Sequence, residues 1–119
     1  MKVQTTLIKD TIDLYQGDTL VKSVLFTFNA SKCLQDVQHL RAEMIANKAA
    51  DDLEGVGRAF WELLRIVFGD AALEELRDWY GGDYLTALND LAPILTGVVY
   101  PTVDRLTDSI VQARKRVKA

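Results

Sequence analysis

Apolar and polar residues alternate in the first quarter of this chain, whereas apolar residues recur every three or four positions in the rest. Alternation is typical of a strand with one buried face, and the longer spacing is typical of an amphipathic helix. Ile12 and Leu14 alternate with Asp13, and residues 16–19, Gln-Gly-Asp-Thr, then supply a turn. The pattern therefore predicts an N-terminal β-hairpin.

The second arm of the predicted hairpin has one clearly more apolar side, which carries Val24, Phe26 and Phe28. A preceding arm, residues 3–8, could add a third strand. Two or three strands are not stable alone in water. We therefore expect the hairpin to pack on the helical remainder of the chain.

Short polar residues mark where the first two helices begin. Asn29 or Ser31 can cap a first helix at residues 30–47, because a short polar side chain accepts hydrogen bonds from the exposed N–H groups of a first turn. The carboxylates of Asp51 and Asp52 suit the start of the second helix, where the helix dipole is positive.

Glycines divide the helices that follow. Gly55 and Gly57 weaken the first turns of the second helix, which predicts a close helix approach or a fraying end. Gly69 is a natural residue to end that helix, and Asp70 is placed to cap a third.

The last helices are bounded by glycines and prolines. The third helix is expected to end at residues 81–82, Gly-Gly, and a fourth to start at Asp83. Pro93 predicts a kink or break at residues 89–92, because proline lacks an N–H donor and clashes with the preceding turn. Pro101 suits the first residue of a last helix.

The expected fold class is therefore α+β, with a β-hairpin of two or three strands followed by a bundle of four to five short helices. A chain of 119 residues and 13.3 kDa fits a single domain, residues 1–119. Within it we assign residues 1–28 to the hairpin region and residues 29–119 to the helical region, which ends in a basic tail, residues 112–119.

Charge is unevenly distributed along the chain, although the net charge is only −3. Residues 51–90 hold ten acidic residues against three arginines, whereas residues 112–119 hold four basic residues and no acid. That tail is too short to define a nucleic-acid site. No apolar run reaches the roughly 20 residues that cross a bilayer, and charged residues interrupt the N-terminal apolar positions. We expect a cytoplasmic protein that binds neither nucleic acid nor membrane.

The sequence offers no catalytic, cofactor or metal-binding constellation, so we do not expect an enzyme. Cys33 is the single cysteine, and the one histidine, His39, lies six positions away on the same predicted helix, where the two point in different directions. We interpret Cys33 as a small buried apolar residue and His39 as a surface residue. An enzyme that uses Glu74 or Glu75 with His39 is the weakest hypothesis.

Aromatic residues are the candidates for a partner-binding site. Trp61 and Trp79 are each about 100° round the helix from a core aromatic residue, Phe60 or Tyr80, which predicts that both tryptophans are partly exposed. Partly exposed aromatic side chains often anchor protein contacts, although a small domain can also wrap them in its core. We select as partner-binding candidates Trp61, Trp79, Tyr80, Tyr84, Phe26 and Phe28, the last two as part of a self-association edge in the hairpin.

The order of these segments resembles the tail assembly chaperones of long-tailed bacteriophages, particularly those that infect Gram-positive hosts. The likeness covers nearly the whole chain. It comprises a hairpin, IDLYQGDTLVKSVLFTFNA, a charged helix, the blocks FWELLRIVFGDAALEEL and WYGGDYLTALNDLAPIL, and a basic end, ARKRVKA. The resemblance implies a non-enzymatic protein that binds and solubilises the largely helical tape measure protein and recruits tail tube subunits in the host cytoplasm.

The resemblance has one further implication, and one alternative hypothesis stands beside it. Such chaperones commonly have a second, longer product made by ribosomal frameshifting, and a protein sequence does not reveal whether one exists. The alternative is a small homo-oligomeric helical adaptor or regulatory protein with no catalytic activity.

Overall fold

The N-terminal part of the protein is a long antiparallel β-hairpin. The computed structural model describes residues 7–118, and the side chains of residues 7–115. Strand β1, Leu7–Gln16, pairs with strand β2, Thr19–Asn29, and Gly17 adopts φ 62° in the turn between them. The predicted hairpin and turn are confirmed. Most of the third arm suggested at residues 3–8 lies outside the described residues, and residues 7 and 8 belong to β1.

One face of the hairpin is buried, as the alternation of the sequence predicts. The inner face carries Ile12 and Leu14 from β1 and Val24, Phe26 and Phe28 from β2, all of which are buried. Successive side chains of a strand point to opposite faces, so these alternate positions share one side of the sheet. A two-stranded sheet needs such a covered face to be stable.

Within residues 7–118, five α-helices follow the hairpin. The bounds of the helices α1 to α5, in chain order, are Ala30–Ala49, Leu53–Phe68, Asp70–Trp79, Tyr84–Ile94 and Tyr100–Lys118. Together with the hairpin they confirm the predicted α+β fold.

Three helices begin at polar caps that the sequence identifies. Asn29 accepts from the N–H of Lys32 at the start of α1, which resolves the choice between Asn29 and Ser31. Asp52 accepts from Gly55 at the start of α2, and the Asp83 carboxylate accepts from the first turn of α4. Each cap satisfies backbone donors that have no partner inside the helix.

The predicted cap of α3 is wrong by one residue. Gly69 serves both helices at this junction, because its N–H donates to the carbonyl of Arg65 at 2.9 Å and its carbonyl accepts from Leu73 at 3.0 Å. Asp70 is instead the first residue of α3, and no side-chain cap bond is formed there. Gly69 has φ 92°, a conformation that favours glycine. A single residue, Gly69, therefore connects α2 to α3.

The helix break predicted at residues 89–92 is absent. Helix α4 runs through Pro93 into a π-helical segment, Leu95–Val99, and then into α5 without leaving helical backbone angles. Proline leaves one carbonyl of the preceding turn without its N–H partner. A π turn follows at residues 95–99, and residues 84–118 form one continuous helical segment. Helix α5 begins one residue before Pro101.

Helix α2 is the centre of the core. Its buried side chains surround the helix on most sides, and they are Val56, Ala59, Phe60, Trp61, Leu63, Leu64, Val67 and Phe68. Phe68 meets Phe26 of β2 edge-on, with ring centroids 4.7 Å apart and planes inclined by 67°. Helices α1, α3 and α4 and strand β2 all pack against α2.

Helix α5 packs on α1 through polar and aromatic contacts. The side-chain amide of Gln38 donates to Thr107 at 2.7 Å. The Arg41 guanidinium pairs with Asp104 at 3.4 Å and lies 4.3 Å from the centroid of the Tyr100 ring. No helix in the described part of the chain is long and apolar enough to span a membrane.

A close contact between α2 and α4 explains one of the two early glycines. A Cβ added at Gly57 would lie 2.8 Å from Cδ1 of Tyr84, so the aromatic ring occupies the space that any other residue would need. Gly57 is therefore a packing glycine, and the expected close helix approach is confirmed at this position.

We expect Gly57→Ala to lower the free energy of unfolding by up to about 2 kcal/mol. The overpacking cost of about 1–3 kcal/mol exceeds the gain of about 1 kcal/mol that alanine brings to a helix. Urea unfolding followed by circular dichroism measures the change. Gly97→Ala is the matched control, because nothing lies within 4 Å of a Cβ there, and it should be neutral or stabilising. Equal stability of the two variants would contradict the contact.

Candidate partner-binding surface

Trp61 lies in the core, so the expectation that it is partly exposed is wrong. Its side chain is 8% exposed and its ring lies 5.2 Å from that of Phe60. The guanidinium of Arg77, on α3, lies 5.6 Å from the Trp61 ring centroid. Helix α3 packs on α2 and covers Trp61, which lies beside the main apolar stripe of α2 and would otherwise be exposed.

Phe26, Phe28 and Tyr84 are also occupied by contacts within the chain. Phe26 and Phe28 are buried on the inner face of the hairpin, so their side chains are not available for self-association in this fold. The half-buried Tyr84 ring packs on Gly57. The hydroxyl of Tyr84 is buried and has no hydrogen-bond partner in the part of the chain that the structure describes.

Trp79 and Tyr80 are the two candidates that reach a surface groove. Both are half-buried at the end of α3. They line an open groove of about 370 Å³ between β1 and α4, together with Tyr15, Asp90 and Ile94 among others. We call this the hairpin groove. Of the six selected residues, the structure therefore brings Trp79 and Tyr80 together at one accessible site.

The Tyr80 hydroxyl is fixed in the wall of the hairpin groove. It donates to a carboxylate oxygen of Asp90 at 3.1 Å. Burial and, to a smaller extent, the bond to this carboxylate raise the pKa of Tyr80 to about 12. The phenol stays neutral at physiological pH, and its hydroxyl is already satisfied by a partner within the chain.

An exposed apolar patch on the hairpin was not selected from the sequence. Tyr15 is 55% exposed, Leu20 49%, Val21 52% and Leu25 78%. We call these four residues the hairpin patch. The hydrogen-bonded pair of Asp13 and Ser23 lies between Leu25 and the paired Tyr15 and Leu20, and Tyr15 belongs to the hairpin groove as well. The sequence does contain evidence for this patch: Val21 and Leu25 are large apolar residues on the side of β2 that alternation assigns to solvent.

A β-bulge shapes the hairpin patch near the turn. Leu14 pairs with Lys22 and Tyr15 with Leu20, so Val21 has no residue opposite it in β1. A bulge of this kind increases the local twist of the strand and redirects its side chains. The spacing of the residues does not predict which position holds it.

The Cys33 thiol is not activated as a nucleophile. It is partly exposed and donates to the carbonyl of Asn29 at 3.1 Å. Desolvation, reinforced by the nearby Asp36 carboxylate, raises the pKa of this thiol. His39 is on the surface, with its Nε2 3.8 Å from Glu43. The described residues include no group of three or more side chains that could hold a metal ion.

Comparison of this chain with protein-family models, with curated proteins and with solved structures finds no match. The functional proposal therefore rests on the hairpin groove and the hairpin patch.

We expect the Tyr80 phenol to ionise well above the ordinary tyrosine pKa of about 10. Tyrosinate absorbance is measured across alkaline pH in the wild type and in Tyr80→Phe, and the difference between the two curves isolates the titration of Tyr80. This difference should show a pKa of about 12. Asp90→Asn should lower that pKa without restoring the ordinary value, because burial is the larger cause. A difference titration centred near pH 10 in the wild type would contradict this geometry.

The same pKa shift makes a prediction about stability. The folded chain holds the Tyr80 proton more tightly than the unfolded chain does, so its contribution is complete below about pH 10 and is lost as the pH rises towards 12. Compared with Tyr80→Phe, the wild type should lose more of its free energy of unfolding across this window.

We expect Tyr84→Phe to leave stability unchanged or to raise it by up to about 1–3 kcal/mol, because it removes a buried hydroxyl that has no partner. Urea unfolding checks the direction. A clear loss of stability would show that the hydroxyl is satisfied in solution.

Proposed function

We propose that this chain is a tail assembly chaperone that binds and solubilises the tape measure protein of a long-tailed bacteriophage and recruits tail tube subunits to it. The single observation that carries the proposal is the hairpin patch, which joins the hairpin groove at Tyr15. Exposed apolar surface of this kind marks protein contacts in soluble proteins. In this role the chain acts in the cytoplasm of the host cell.

The shape of the groove suits a helical partner. It runs between an edge strand, β1, and a helix, α4, and its wall carries the aromatic side chains of Trp79 and Tyr80. An amphipathic helix binds such a groove by inserting apolar residues from one stripe. A tape measure protein, which is long and largely helical, presents many such stripes to successive copies of a small chaperone.

Electrostatics add a preference among helical partners. Asp13 and Asp90 both lie along the groove, and Asp13 also accepts from the Ser23 hydroxyl at 2.7 Å. Carboxylates at the margin of an apolar groove favour basic residues at the edges of the bound stripe and disfavour acidic ones. The proposed partner segment is therefore an amphipathic helix with lysine or arginine beside its apolar residues.

Buried apolar area supplies the driving force for this contact. Each square ångström removed from water contributes about 25 cal/mol, and the loss of translational and rotational freedom offsets much of that gain. A single groove therefore gives a modest affinity. Such an affinity suits a chaperone that must leave before the tail is complete, while many copies together keep a long partner soluble.

The test is co-expression of this chain with a tape measure protein encoded in the same gene cluster, followed by size-exclusion chromatography with light scattering. We expect soluble tape measure protein to co-elute with many copies of the chain. An insoluble tape measure protein, beside a chain that runs as a closed small oligomer, would overturn the proposal in favour of the adaptor alternative.

Surface variants locate the contact. Tyr15→Ser with Leu25→Ser, and separately Trp79→Ala, should lower the amount of soluble tape measure protein, because each removes apolar area from the proposed site. Ile45→Ser is the matched control, since Ile45 is 65% exposed on α1, outside the patch and the groove. Circular dichroism checks that every variant folds. Full solubilisation by the folded Tyr15, Leu25 and Trp79 variants would exclude this surface.

A further inference from the structure

The outer edge of β2 has no strand beside it in the part of the chain that the structure describes. The sheet within residues 7–118 has two strands, so β2 pairs with β1 along one edge only. The N–H and C=O groups along the other edge of such a strand are available for pairing with another chain. Because β2 is 11 residues long, this edge is long enough to receive an extended segment of a second polypeptide.

The two edges of the hairpin differ in how they are protected against pairing. β1 carries Lys9, Asp10 and Asp13, and charged side chains discourage the addition of a strand. Asp10 occupies an inward position opposite the buried Phe26 and is nevertheless exposed. In β2, residues 23–29 contain no charge, proline or glycine and are rich in residues that favour strands. The protection therefore lies on β1, and β2 keeps an edge that is suited to pairing.

An open groove follows this edge of β2. One part has a volume of about 500 Å³ and lies between residues 25–27 and the junction of α2 with α3. The other part, of about 690 Å³, lies between the end of β2 and the helices α1 and α2. Thr27 lines both parts, so the two adjoin. We call them together the edge groove, and Leu25 belongs both to it and to the hairpin patch.

The wall of the edge groove opposite β2 suits the side chains of an added strand. Phe68 and Ile66 contribute apolar surface, and Gly69, Ala71 and Ala72 leave room because they are small. Successive side chains of a strand point to opposite faces, so every second residue of an added strand would meet this wall. In strand addition, main-chain hydrogen bonds give affinity and contacts of alternate side chains give specificity. The wall therefore selects apolar residues at alternate positions.

Two lysines favour acidic residues at the remaining positions. Lys9 lines the edge groove from β1, where it pairs with Thr27, and Lys32 lines the part near α1. Neither lysine forms an ion pair among the described residues. Asp36 offsets one of these charges. The other charged side chains of the groove pair with one another, and they are Glu62, Arg65 and Asp70. A carboxylate on the outward side of an added strand therefore complements Lys9.

We propose that the outer edge of β2 binds an extended segment of a partner protein as a third strand of the sheet. The segment turns alternate apolar residues towards α2 and α3 and places an acidic residue near Lys9. Residues 23–29 offer about 23 Å of edge at about 3.3 Å per residue. This site is separate from the hairpin groove, and its assignment does not depend on the proposed chaperone function.

The edge groove favours a free segment over a second folded copy of this chain. The groove is bounded by a wall that projects beyond β2, formed by residues 62–72 of α2 and α3. A second copy would bring the same wall to the same edge, and the two walls would compete for the same space. A single extended segment meets no such obstacle.

Selection from a random library of short peptides on the immobilised full chain tests the proposal. Each round first removes the peptides that bind Ala71→Trp, because the large side chain fills the edge groove. We expect the enriched peptides to alternate apolar and polar residues, with glutamate or aspartate at polar positions. Absence of enrichment, or enrichment of apolar residues at helical spacing, would overturn the proposal.

Methylated backbone amides distinguish strand pairing from other modes of binding. A selected peptide is synthesised with N-methyl groups at its odd-numbered residues and, separately, at its even-numbered residues. Only one of these sets faces β2 in an added strand. Fluorescence anisotropy should therefore show that one version binds at least about tenfold more weakly than the other. Equal affinities would exclude strand addition.

Side-chain variants locate the peptide in the edge groove. Ala71→Trp should weaken binding of the selected peptide at least about tenfold, and Lys9→Glu at least about threefold, as reversal of an exposed charge contact does. Ala42→Trp and Lys48→Glu are the matched controls, because both residues are exposed on α1 outside the groove, and they should bind normally. Circular dichroism confirms folding. Unchanged binding by the two folded groove variants would overturn the site.

Sedimentation velocity distinguishes a partner segment from a second copy at the same edge. We expect the selected peptide to leave the oligomeric state of the full chain unchanged. Dissociation of an oligomer when the peptide binds would show that another copy occupies this edge, and it would overturn the assignment to a partner protein.

Discussion

The burial of α2 by every neighbouring element is the constraint on which the rest of the structure depends. The hairpin has one apolar face, and the described residues include no second sheet to cover it, so Phe26 must meet Phe68 of α2 or remain in water. Helix α3 is too short to be stable alone, and it is fixed by folding back over Trp61. Each of these elements is marginal by itself, and α2 supplies the surface that stabilises them together.

Local rules account for most of the architecture. Asn29, Asp52 and Asp83 cap helices where short polar residues precede apolar ones, and alternation identifies the buried face of the hairpin. These features depend on interactions within a few residues, which a sequence displays directly. At Pro93 the same reasoning failed, because the chain stays helical through the proline and continues into a π-helical segment, and a local rule about proline does not show which helices tolerate it.

The candidate site was harder to predict because exposure is a tertiary property. The spacing of Trp61 from Phe60 indicates an angle around one helix, but not that α3 covers that angle. Trp79 has the same spacing from Tyr80 and does reach a groove, since α3 ends there. The hairpin patch could have been found by asking why β2 carries Val21 and Leu25 on its outward side.

The π turn sets the rotational phase of the continuous helical segment, residues 84–118. Leu91, Leu95, Val99 and Val103 are all nearly fully buried, although they follow one another at intervals of four residues. In an uninterrupted α-helix such a series drifts by about 40° at each step, because four residues turn through about 400°. The wider π turn at residues 95–99 removes this drift from one of the three steps, which limits the total rotation across the four side chains. Chain length between residues 91 and 103 is therefore under constraint: a deletion or insertion of one residue would rotate α5 about its own axis and turn a different side of it towards α1.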